Sequence, residues 1–284
     1  MKILYYCMGG GLGHVTRFLA FCYTQNIRPI LLTAVDIEKI CQIEIPAEKI
    51  IVMPRELAEN RGAFSDWVHQ QFRNEKPDKL IVDSFPGGIM GELCGFDCLK
   101  SVDCEYIVRI LKLDVYSRRL RGELPVFSKF WQVEKLGKQQ DQWLKDYAEF
   151  CGASVADLEL EYPEADENSV LTIDNDFWLI IHSGNEDELR VLFEKAQKIA
   201  KNEGITPKYV VVGQCTRPDY LPAEVKYCSI YPANSLLKQA DKVFSGAGFN
   251  LMTQMKSMRY KHICIPFHRA LDDQHLRLDL ISSF

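Results

Sequence analysis

The stretch Ile3-Leu4-Tyr5-Tyr6-Cys7-Met8-Gly9-Gly10-Gly11-Leu12-Gly13-His14-Val15-Thr16-Arg17 decides the fold. A short apolar run, a glycine-rich turn and an apolar helical stretch are what a buried parallel strand needs before its first crossover helix. Ile3 to Cys7 therefore reads as a strand, Gly9 to Gly13 as a turn and Val15 to Thr24 as a helix. Glycines let a backbone approach a ligand closely, and the helix start beyond them offers unpaired N–H groups to an anion. The turn lacks the Gly-Lys-Ser/Thr ending of a P-loop. Apart from Asp36, no well-placed acidic residue for a ribose follows the second strand, so ATP and NAD are disfavoured.

Working outward, the pattern repeats. Strands are expected at Pro29 to Thr33, Ile50 to Met53, Leu80 to Asp83 and Glu105 to Ile110, with a helix over Ala63 to Arg73. Four or five strands with crossovers imply a parallel sheet. From Leu120 to Asp176 the pattern blurs, and Phe127, Phe130, Trp131, Trp143, Tyr147 and Phe150 suit either a packed helical core or an acceptor platform. The acidic stretch Glu159 to Glu167 reads as an exposed interdomain connection.

A second series follows. Strands are expected at Trp178 to His182, Tyr209 to Val212, Val225 to Tyr231, Lys242 to Phe244 and His262 to Pro266. Helices are expected at Glu186 to Lys201, Asn234 to Ala240 and Asn250 to Met258. The fold class is thus α/β, two Rossmann-like lobes facing across a cleft, with residues 1–160 and 170–284 as the lobes.

Bulk properties narrow the function. With 284 residues and a formal net charge of -5, the chain lacks the basic excess of a nucleic-acid-binding protein. The run Arg118-Arg119-Leu120-Arg121 is a solvated face or a small anionic contact. Ten cysteines scattered through apolar segments, with no secretory leader, favour reduced thiols and a cytoplasmic location. Cys94, Cys98 and Cys104 lack zinc-site spacing, so no metal is expected. No apolar run is long enough to span a membrane, which leaves a peripheral contact open.

Ligands of open α/β sheets sit beyond the carboxyl ends of the strands. Three turns stand there: Gly9 to His14, Ser245-Gly246-Ala247-Gly248 running into Phe249-Asn250, and Pro266 to Gln274 with Asp272, Asp273 and Gln274. An imidazole at His14 can accept a proton near neutral pH, or it merely caps or packs. Asp83, at another strand end, either orients His14 or caps the turn Ser84 to Gly88, the cap being favoured.

In that order, Gly-Gly-Gly-Leu-Gly-His14-Val-Thr-Arg17, Ala240 to Asn250 and Ile265-Pro266-Phe267 with Asp272-Asp273-Gln274 resemble the GT-B glycosyltransferases related to the N-acetylglucosaminyltransferase of peptidoglycan synthesis. The resemblance covers nearly the whole chain. It implies an amino lobe for the acceptor and a carboxyl lobe for a nucleotide-sugar donor, usually a UDP-sugar, with inverting transfer and no cofactor or essential metal. It casts His14 as base or as a cleft residue near the sugar; Asp83, from its strand-end position, joins His14 as a catalytic candidate. It casts Gly10, Gly11, Gly13, Ser183, Gly184, Tyr231, Ser245, Gly246, Ala247, Gly248 and Asn250 as donor-binding. Asp273 and Gln274 match the pair that grips the donor sugar. The acceptor, lipid-linked or a small molecule, is not specified. Two departures stand out. Gln254 replaces the glutamate that relatives place against the ribose, and the chain reaches Phe284 where relatives continue through helices crossing back to the amino lobe. A non-catalytic sugar-nucleotide or glycan binder and a GT-B epimerase are the competing readings.

Overall fold

A computed structural model describes residues 1–163, 176–214 and 216–282. The last part of the acidic stretch, Glu164 to Glu167, lies outside the described residues.

The amino lobe is a seven-stranded parallel sheet in the order β3-β2-β1-β4-β5-β6-β7, built from β1 (Ile3–Cys7), β2 (Ile30–Thr33), β3 (Lys49–Val52), β4 (Lys79–Asp83), β5 (Asp103–Val108), β6 (Lys129–Gln132) and β7 (Ser154–Asp157). The carboxyl lobe is a five-stranded parallel sheet, β10-β9-β8-β11-β12, from β8 (Phe177–Ile181), β9 (Lys208–Val212), β10 (Lys226–Cys228), β11 (Lys242–Gly246) and β12 (His262–Ile265). Central strands of both are apolar on both faces because helices cover both, as a parallel sheet requires.

The helices are α1 (Leu12–Gln25), α2 (Arg61–Glu75), α3 (Leu113–Tyr116), α4 (Lys138–Cys151), α5 (Glu186–Glu203), α6 (Asn234–Gln239), α7 (Phe249–Gln254) and α8 (Gln274–Ser282). Their ends follow local chemistry. Asn185 caps α5 by accepting from the Glu188 N–H at 2.9 Å, and an acidic first turn complements the helix dipole. Gly152 and Gly204 close α4 and α5 at positive φ, where a side chain would be strained.

The two-series expectation holds, with local corrections. The blurred region completes the first sheet: β6, α4 and β7 extend it to seven strands rather than four or five. Phe127 and Phe130 are fully buried beneath α4, whereas Phe150 is exposed at the end of a Trp143–Tyr147–Phe150 stack. The strand expected to run to Tyr231 stops at Cys228, which pairs with Val212, the last residue of β9, its only neighbour among the described residues. The helix expected to reach Met258 leaves α-helical geometry after Gln254. The connection is not purely exposed: Leu160 is buried against the amino lobe and the Tyr162 hydroxyl reaches Asn250 at 3.2 Å.

Both sheets reverse their strand order beside their first strand, between β1 and β4 and between β8 and β11. Crevices open at such switch points. The register sets Tyr6 beside Val82 and Ile181 beside Ser245, so the turns after these strands converge between the lobes.

After β12 the chain returns to the amino lobe. Leu271 enters a cluster with Phe85, Leu111 and Tyr116, and Leu276 and Leu280 of α8 pack on the amino-lobe core. A helix crossing back is therefore present among the described residues. No helix among them is long and apolar enough to cross a membrane, and the nine described cysteines are all free.

Candidate active site

A cavity of about 450 Å³ lies between the lobes. Gly11, Gly13, His14, Arg17 and Arg109 line its amino-lobe wall, and the turns after β8, β10 and β11 form most of the opposite wall.

His14 sits in the first turn of α1, and its ring lies against Gly9, where a Cβ would stand 2.3 Å from the imidazole. Gly9 therefore makes room for the ring. The Nδ1 of His14 is 2.6 Å from Oδ2 of Asp83, which is fully buried at the end of β4. Burial would raise the Asp83 pKa, but the Arg17 guanidinium and the His14 hydrogen bond override it and hold the carboxyl well below its usual range. An ionised carboxylate only accepts, so Nδ1 carries the proton and donates it. Nε2, with no protein partner among the described residues, keeps its lone pair. Burial also lowers the His14 pKa, the Asp83 contact only partly offsetting it. Nε2 is thus a ready base at neutral pH.

The dyad is held by a chain of ion pairs. Arg17, one helical turn after His14, donates from Nε at 2.5 Å and Nη2 at 2.8 Å to Asp83, and from Nη2 at 2.6 Å to the Ser84 hydroxyl. Arg109 donates to the same hydroxyl at 2.8 Å and to Asp272 at 2.7 Å. Arg277 of α8 donates to Asp272 at 2.7 Å and grips Glu134 at 2.7 and 2.9 Å. Burial opposes ionisation of Asp272, but Arg109 and Arg277 bring its pKa down to about 2.

On the donor-side wall, His182 at the end of β8 pairs with Glu188 at 2.6 Å, and Arg269 chelates that carboxylate at 2.5 and 2.6 Å. Burial lowers the His182 pKa despite Glu188. Gly184 and Gly246 flank this imidazole, and a Cβ on Gly184 would meet it at 2.3 Å.

The structure brings most of the expected residues together. His14, Gly11, Gly13, Ser183, Gly184, Tyr231, Ser245, Gly246, Gly248, Asn250 and Gln274 line the cavity, and Asp83 stands directly behind His14. The Asp83 side chain binds His14 and Arg17, so the favoured turn cap is corrected. Gly10 is exposed but off the wall, and Ala247 is fully buried, its carbonyl accepting from Arg277 at 3.0 Å. Asp273 is also off the wall, accepting the Leu276 N–H at 3.1 Å to cap α8, whereas its neighbour Asp272 lines the cavity.

Several wall side chains are already engaged. Asn250 donates to the Gly13 carbonyl at 2.8 Å and accepts from Tyr162, which makes it an interlobe clamp. Tyr231 meets Thr16 at 2.9 Å, and Ser245 turns to His262 at 2.8 Å. Gln274 accepts the Phe267 N–H at 2.9 Å and keeps its amide N–H groups for the cavity. Gln254 differs: its buried Oε1 has no partner among the described residues.

Sequence reasoning did not assign roles to Arg17, Arg109, His182, Glu188, Arg269 or Arg277. Arg17 carried a signal in its spacing of three from His14, and His182 in its position at a strand end. The others depend on tertiary pairing.

No protein-family model matches the chain, and no curated sequence does. Solved structures do. The spinosyn forosaminyltransferase SpnP aligns with a TM-score of 0.61 at 9% identity, over 100% of this chain and 83% of that one. The UDP complex of MnaA from S. aureus gives 0.59 at 10%, over 97% and 81%. UDP-N-acetylglucosamine 2-epimerase from Rickettsia bellii gives 0.56 at 10%, over 98% and 82%. These likenesses establish the architecture: the chain has the two-lobed α/β fold shared by GT-B glycosyltransferases and these sugar-nucleotide proteins.

Proposed function

We propose that the chain moves a sugar from a nucleotide-sugar donor, with a UDP-sugar the expected class, onto an acceptor hydroxyl. The observation that carries the reading is the His14–Asp83 dyad on the wall of a cavity lined on the other side by Ser245, Gly246 and Gly248, with His14 Nε2 free of a protein partner among the described residues. In this reading His14 Nε2 takes the hydroxyl proton as the acceptor oxygen bonds to the anomeric carbon. The bond from that carbon to the diphosphate oxygen breaks, and its electron pair leaves with the diphosphate. A single displacement inverts the anomeric centre. Asp83 fixes the tautomer and stabilises the imidazolium.

The donor-side turn suits a diphosphate. A Cβ on Gly248 or Gly11 would meet nothing in the protein within 4 Å, so the space above both is open to a ligand. UDP in the MnaA complex, a neighbour of the same fold, agrees with the donor class. In this reading protein N–H groups receive the charge of the leaving diphosphate, and no step calls on a metal. The relation to the peptidoglycan N-acetylglucosaminyltransferase and an acceptor-binding amino lobe belong to the same proposal.

Epimerisation needs carboxylates free to pull and return a proton. Glu188, Asp272 and Asp83 are each locked in ion pairs, which favours transfer. The test is an acceptor screen with labelled UDP-sugars. Transfer with release of UDP is expected, and His14→Ala slows it by about 10²–10⁴-fold with donor affinity nearly unchanged. Donor interconversion without an acceptor would establish the epimerase instead, and donor binding without turnover for any acceptor a binding protein.

A further inference from the structure

We propose that Arg17 and Arg109 form an oxyanion subsite on the amino-lobe wall beside His14, taking a phosphate or carboxylate group of the ligand. Both side chains are nearly buried, at 2% and 7% exposure, yet both line the cavity. Their guanidinium groups converge on the Ser84 hydroxyl, from Nη2 of Arg17 and Nε of Arg109. Ser84 is held at φ 68, a left-handed conformation unusual for serine, so the turn that joins the two arginines is itself strained into place.

The hydrogen-bond inventory shows what is left over. Arg17 spends Nε and Nη2 on Asp83 and Ser84. Arg109 spends Nε on Ser84 and Nη1 on Asp272 and the Ile110 carbonyl. Among the described residues, Nη1 of Arg17 and Nη2 of Arg109 have no hydrogen-bond partner. Neither nitrogen is among the sealed unpartnered side-chain atoms, which are Tyr5 Oη and Gln254 Oε1, and both arginines line the cavity. Two guanidinium groups that meet at Ser84 on one cavity wall, each with a nitrogen to spare, are a donor set for an oxyanion, which accepts from both.

Local charge says how the site accommodates an anion. Arg17, Arg109 and Arg277 face Asp83, Asp272 and Glu134, an even balance. An entering anion is therefore an excess charge. Neutral His14, its Nδ1 3.3 Å from Arg17 Nη2, offsets it by taking a proton at Nε2. Under the transferase reading, on which only the origin of the anion rests, the group is either the donor's diphosphate or an anionic group on the acceptor.

Inorganic phosphate is the probe, with the ¹⁵N-labelled imidazole of His14 followed by NMR in the wild-type protein. Phosphate is expected to raise the His14 pKa. Arg109→Gln is expected to weaken phosphate binding by about tenfold, with Arg109→Lys in between. Phosphate that competes with UDP identifies the donor's diphosphate as the natural occupant; phosphate that binds together with UDP identifies an acceptor group. The subsite is refuted by a wild-type His14 titration that phosphate leaves unmoved, or by folded Arg109→Gln binding phosphate as the wild type does. If phosphate shifts His14 while no nucleotide binds, the transferase reading falls and the subsite stands.

Discussion

The protonation state of His14 is set by what surrounds it. Asp83 fixes the proton on Nδ1, Gly9 leaves space for the ring, and Phe85 lies 5.3 Å from it, centroid to centroid. Because burial lowers its pKa, the base form persists below the usual histidine range. Activity that needs neutral His14 is therefore present above its folded pKa and lost as pH falls through it. The acid limb of kcat/KM is expected below about 6.5, and a pH–rate profile with that limb above 6.5 contradicts the assignment. The position of His14 was legible because a strand-end turn must face a crevice. The role of Asp83 was not, since the choice between capping a turn and pairing with His14 depends on how β4 sits against β1, and Arg17, needed by both, gave only its helical spacing.

At the scale of elements, the glycine turns separate packing from binding. Gly9 has a steric reason inside the protein; Gly11 and Gly248 have none, and both have extended backbones that any residue adopts. Gly11→Ala and Gly248→Ala are therefore expected to change stability by no more than about 0.5 kcal/mol. Donor affinity is expected to fall by about tenfold, since a methyl occupies the ligand's space. Thermal melting beside equilibrium binding checks both, and unchanged affinity in both variants removes the ligand from these turns. Strong apolar runs such as β1, β4 and β8 were readable because burial on both faces leaves no alternative. The strands β6 and β7 were not: they are short, end in polar residues and lie at or next to the sheet edge, where partial exposure relaxes the pattern.

Across the whole molecule, the chain after β12 ties the lobes together. Asp272 bridges Arg109 and Arg277, Arg277 grips Glu134, and Arg269 holds Glu188 on the other wall. Arg277 is 2% exposed, and its removal leaves two carboxylates short of a partner. Arg277→Met is expected to cost about 3–5 kcal/mol, read from denaturant midpoints, and to lower turnover by loosening the cavity walls. Wild-type midpoints would show that the strap does not hold the lobes. The two β/α series made this architecture legible, whereas the strap was not, because pairing across the lobes leaves no local periodicity. That Asp272, not Asp273, lines the cavity has the same origin: adjacent carboxylates differ only in which one caps α8 and which one faces Arg109.

The central claim is that the interlobe cavity binds a nucleoside diphosphate as part of a sugar donor. Calorimetric titration of the wild-type protein with UDP, GDP, dTDP and their common sugars tests it most directly. Selective binding of one diphosphate, UDP by this account, at one site per chain and weakened in Gly248→Ala is the expected result. Absence of binding by every nucleotide to folded protein would contradict the account.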